Sequence, residues 1–138
     1  MSISITPEIR SYALSIASVG NRMKVTSDKF GVATKRKIAT VEDIKALKRE
    51  YLNLLEEFKS QEQTLMQLTT PLILKEEHEE LLVSFNKYVT ATELGIDSLN
   101  VESIITNESI LKKAQDLQRE ASSEIVYISK KIATKLGI

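Results

Sequence analysis

The feature that most constrains this chain is a three-four alternation of core-type residues running through its second quarter. Ile44, Leu47, Tyr51, Leu54, Phe58, Gln61, Leu65 and Leu68 follow one another in alternating steps of three and four. At that spacing side chains return to one face of an α-helix, and a seven-residue repeat is the signature of helices packed side by side. Only Gln61 breaks the apolar run. A helix with one apolar stripe gains most of its stability from tertiary packing, so the seam demands partner helices within the chain or outside it.

The rest of the sequence supplies candidates. Thr6-Pro7 and Thr70-Pro71 are the only prolines, each preceded by a threonine. Threonine suits a helix N-cap, and proline suits the first helical position, where its missing N–H costs nothing. Helices are therefore expected over about 7–33 and 71–99. The first carries Ile9, Tyr12, Ala13, Ile16, Val19, Gly20, Met23 and Phe30 on one face, with small residues that let a neighbour approach closely. The third carries Leu74, His78, Leu81, Phe85, Tyr88, Thr92, Gly95 and Leu99. Thr40-Val41-Glu42-Asp43 reads as a capping box with Asp in place of Glu, opening a helix over 41–68. Asn107 is a good N-cap for a last helix over 107–136, along Ile110, Leu111, Ala114, Leu117, Ala121, Ile125, Ile128, Ile132 and Leu136. Residues 100–106 (NVESIIT) are left as a loop, a helical turn or the start of the last helix.

Four amphipathic segments of similar length with short first links predict an all-α chain: one domain over 1–138, an antiparallel up-down-up-down four-helix bundle. A three-helix bundle with a mobile first helix, or a helix-swapped dimer, are the alternatives. Composition agrees: 42% hydrophobic, 28% charged, with four glycines and two prolines, too few turn residues for an all-β fold.

Composition also bounds function. Nineteen basic residues balance nineteen acidic ones, so no net field draws the chain to nucleic acid or an anionic membrane. The absence of cysteine excludes disulfides and thiolate chemistry. The amino-terminal MSISITPEIR lacks a basic and then apolar leader, and no window of about 18 apolar residues would span a bilayer. The default expectation is a cytoplasmic protein, with secretion left open. Lys29, Lys35, Arg36 and Lys37 cluster at the first connection without interleaved aromatics beyond Phe30, which reads as a solvated loop rather than a nucleic-acid surface.

His78 is the one histidine, and it sits on the core-facing seam. A di-iron bundle needs two Glu-x-x-His helices. One histidine, with Lys75 three residues before it, cannot provide that, so neither metal nor other cofactor is expected. Glu77 is read as pointing off the seam. Axial heights, at 1.5 Å per residue, put Tyr12, His78 and Tyr127 at one level with Glu62 nearby. These four are the candidate site: a polar core layer that fixes helix register, or the lining of a small-ligand pocket. No phosphate-binding glycine loop or nucleophile-base-acid set is present, and the reading is non-enzymatic.

Pro71-x6-His78-x2-Leu81-Leu82-x2-Phe85-x2-Tyr88 resembles a pattern in uncharacterised helical-bundle proteins of Gram-positive bacteria. The resemblance covers 71–88 and implies a helical bundle of Firmicute or prophage origin. Several of those proteins are lipoproteins or secreted, but this sequence has no lipobox cysteine or signal, and no functional residue carries over. The leading functional expectation is a bundle that works by protein–protein interaction or self-association. A small-ligand or metal-binding bundle centred on His78, and a toxin-system accessory or immunity protein, are the alternatives.

Overall fold

The computed structural model describes residues 4–138; the first three residues of the expected domain lie outside it. Thr6 opens helix α1 (Pro7–Ala33): its hydroxyl accepts the Ile9 amide at 3.2 Å, and Pro7 fills the first turn. Thr40 and Asp43 form the full reciprocal box at the start of α2 (Val41–Gln67). Asn107 caps α4 (Glu108–Leu136) through the Ile110 amide, and α4 ends on left-handed Gly137.

The third helix departs from expectation at both ends. Pro71 has φ −57° and ψ 139°, an extended rather than helical geometry, and leads into a single 3-10 turn, Leu72–Leu74. The α-helix α3 then runs Lys75–Asp97. Its end at Asp97 frees Leu99–Asn100 (β1) to pair antiparallel with Ile105–Thr106 (β2). The segment left open by sequence is thus a miniature hairpin. Its turn is held by the Ser103 amide on Asn100 Oδ1, and Ile104 adopts φ 55°, rare for a β-branched residue.

The described residues are all-α apart from that ladder, and the helices form an up-down-up-down bundle. One continuous core draws on all four. The seam of α2 is buried from Ile44 to Leu65, with Leu68 half-buried, and α3 buries His78, Leu81, Phe85, Tyr88 and Thr92 in sequence. Phe30 stacks on Tyr51 (4.8 Å between centroids), and Phe58 meets Tyr88 edge-on (4.9 Å). Such pairs add roughly 0.5–1.5 kcal/mol each beyond the area they bury. No described helix is long and apolar enough to cross a membrane.

The four sides of the bundle are unequal. α3 and α4 share the most extensive interface, and α2 packs on both α1 and α3. α1 and α4 approach each other only sparsely. What ties α1 to the far side of the bundle is a set of long side chains crossing the core to α3. Tyr12 reaches His78, Tyr88 reaches Ser27, and Phe30 lies over Gly95.

Candidate functional site

Polar groups in the core need partners, and most find them in pairs along the bundle, though Gln61 Oε1 is buried without one. At the end where α1 begins, the Tyr12 hydroxyl lies 2.8 Å from His78 Nδ1, both residues buried. Burial, with the Glu77 carboxylate second, holds the Tyr12 phenol well above its usual range. Burial holds His78 below 6.5, while a backbone hydrogen bond with Leu65 and the charge of Glu79 act the other way. The direction of the Tyr12–His78 bond follows the imidazole tautomer.

Further along, a two-step relay appears twice. Gln61 Nε2 donates to Thr26 Oγ1 at 2.9 Å, and that hydroxyl donates to the Arg22 carbonyl. Gln118 Nε2 donates to Thr92 Oγ1 at 3.1 Å, and that hydroxyl donates to the Tyr88 carbonyl. Between them, the Ser27 and Tyr88 hydroxyls share a 2.7 Å hydrogen bond.

Of the expected layer, the structure brings together Tyr12 and His78 and excludes the other two. Tyr127 is 65% exposed, with Lys131 Nζ 5.5 Å from its ring centroid. Axial height fixed its level but not its angle, because the buried stripe of α4 runs through Ala121, Ile128 and Ile132, one residue round from Tyr127. Glu62 is half-buried and accepts from Asn86 Nδ2 at 3.0 Å, at the outer edge between α2 and α3, while its neighbour Gln61 faces inward. Glu77, expected off the seam, is only 8% exposed. Its Oε1 accepts from Lys135 Nζ at 2.9 Å across the α3–α4 interface, and its Oε2 is buried without a partner. The Lys135 hydrogen bond outweighs burial and keeps that carboxyl below its usual value.

Sequence reasoning missed Thr26, Ser27 and Gln118. Gln118 takes the core place that periodicity assigned to Leu117, and the signal for it was Thr92, a hydroxyl on the facing seam that needs a partner. Of the basic cluster at the first connection, Lys29 pairs with Glu57 (3.4 Å) and Arg36 with Glu50 (2.9 Å).

The sparse α1–α4 side leaves a groove. Two adjoining depressions of about 460 and 620 Å³ share Ser27 and Ser122 along it. Their walls are mainly short side chains, Gly20, Gly31, Ser122, Ser129 and Ala133, over an apolar floor of Met23, Phe30 and Ile125. Lys24, Lys35, Arg119 and Lys130 line it against one carboxylate, Asp28. Arg119 pairs with Asp116 at 3.1 Å; Lys24, Lys35 and Lys130 form no ion pair among the described residues.

Comparison of the chain with protein families, with characterised proteins and with solved structures finds no match.

Proposed function

We propose that this protein is a non-enzymatic interaction module whose α1–α4 groove receives an amphipathic helix of a partner protein, carrying acidic residues beside its apolar stripe. The observation that supports this reading is the groove itself: an apolar floor, small-residue walls that permit close helix approach, and a basic margin in a chain of zero net charge. Helix-in-groove recognition uses an apolar stripe for affinity and rim charges for orientation. Three lysines without carboxylate partners favour glutamate-flanked helices over lysine-flanked ones.

The chain has no cysteine, so a single one placed at Ser129 carries a fluorophore into the groove without ambiguity. Two synthetic peptides serve as probes, with identical leucine stripes and flanks of glutamate or lysine. The glutamate peptide is expected to bind, more weakly as salt rises, and Ser122→Trp is expected to abolish binding. Equal binding of both peptides, or of neither, overturns the proposal. Light scattering on the protein alone covers self-association: a dimer broken by Ser122→Trp would reassign the occupant to a second copy of this chain.

A further inference from the structure

At the end of the bundle away from His78, the 34–40 connection and the β1–β2 hairpin enclose, over α2 and the start of α4, a cavity of about 390 Å³. It shares only Thr34 with the walls of the α1–α4 groove. Ile38, Leu47, Ile104 and Leu111 give it an aliphatic lining, and Ile104 is the residue held at φ 55°.

Two polar groups face this space without partners. Tyr51 is 1% exposed and its ring is pinned by the stack on Phe30. Tyr12 and Tyr88 are each hydrogen-bonded, and Tyr127 faces solvent, whereas the Tyr51 hydroxyl has no hydrogen bond among the described residues. Glu108, in the first turn of α4, forms no ion pair among the described residues. The remaining charge on the cavity wall, Arg36, is committed to Glu50 through both terminal nitrogens, at 2.9 and 3.2 Å. Glu108 is thus the wall's one carboxylate, exposed at the N-terminal turn of α4 and outside any ion pair among the described residues. Burial, then Glu50 and Glu108, push the Tyr51 phenol up to about 12, so it offers a neutral oxygen at physiological pH.

The Tyr51 hydroxyl is not sealed from solvent, so a molecule entering the cavity can reach it and bond to it. Glu108 calls for a cationic N–H group, the phenol oxygen for a second N–H, and the aliphatic wall for a short apolar body. We propose that this cavity binds a small primary ammonium compound, its –NH3+ shared between Glu108 and the Tyr51 hydroxyl and its alkyl part against Ile38, Leu47, Ile104 and Leu111.

The test uses three isosteric probes, butylammonium, butyrate and butanol, titrated into the full chain while amide chemical shifts are followed. Butylammonium is expected to move the amides of Tyr51, Ile104 and Glu108 saturably, and to bind about tenfold more tightly than the other two, the ratio expected for one added charge contact. Glu108→Gln, at an exposed position, is expected to remove the preference for the cation while leaving the fold intact. Tyr51→Phe is expected to weaken butylammonium more than butanol. Equal affinity for all three probes, preference for butyrate, or no saturable shift at millimolar concentration overturns the proposal.

Discussion

His78 shows how much one residue's surroundings decide. Burial lowers its proton affinity in the folded state, whereas the unfolded chain titrates near 6.5. As pH falls below 6.5 the unfolded chain takes up the proton first, so stability is complete above that value and declines as pH drops towards the depressed folded value. The denaturant midpoint should therefore fall between pH 7.5 and 5.5, a window above the carboxylates held low at Asp43, Glu77 and Glu124. His78→Gln, which keeps a hydrogen-bonding group for Tyr12, should lose about 0.5–1.5 kcal/mol at pH 7.5 and should lack that slope. Glycines give a second contrast. Gly20 has open space where a Cβ would stand, so Gly20→Ala in mid-helix should stabilise by about 0.5–1 kcal/mol. At Gly95 an added Cβ would lie 3.1 Å from Phe30 Cζ, on a ring already stacked against Tyr51. Gly95→Ala should instead destabilise by about 1–3 kcal/mol, as overpacking does. Equilibrium urea unfolding of the two variants should shift in opposite directions.

The helices differ in how fully their residues announced them. α2 was legible from end to end, because its seam is apolar with one exception and its cap uses side chains in the expected places. Thr40→Ala should cost about 1 kcal/mol, and hydrogen exchange should speed up first at the Asp43 and Ile44 amides. The hairpin was not legible, since two-residue strands have no periodicity to read. The Thr70-Pro71 pair misled because Thr70 bonds back to the Leu68 carbonyl (3.5 Å) and Pro71 takes an extended ψ, so neither begins an α-turn. In the candidate layer, heights came from residue count alone and placed Tyr12 with His78. Tyr127 failed on angle, which depends on which face of α4 the core selects. α1 is the element held least on its flanks, by α2 and by three crossings to α3. Native-state hydrogen exchange should find its amides opening at lower free energy than those of α3 and α4. Protection of α1 equal to that of α4 would contradict this picture.

Across the whole molecule, one core joins all four helices, so unfolding should be cooperative: far-ultraviolet circular dichroism and tyrosine fluorescence should give coincident transitions. Most ion pairs sit at the surface, where each contributes little; Lys135–Glu77 is the more sheltered exception. The four polar pairings, Tyr12–His78, Thr26–Gln61, Ser27–Tyr88 and Thr92–Gln118, bear on a different question. Apolar heptads are degenerate under translation: slide a helix by seven residues and leucine still meets leucine. The polar pairs break that degeneracy. Move α1 by one heptad against α3 and the Tyr12 hydroxyl faces the level of Phe85 or Pro71, neither of which offers it a side-chain hydrogen bond. The apolar stripes carry the information about which faces meet. Eight side chains at uneven intervals carry the information about where along the axis they stop.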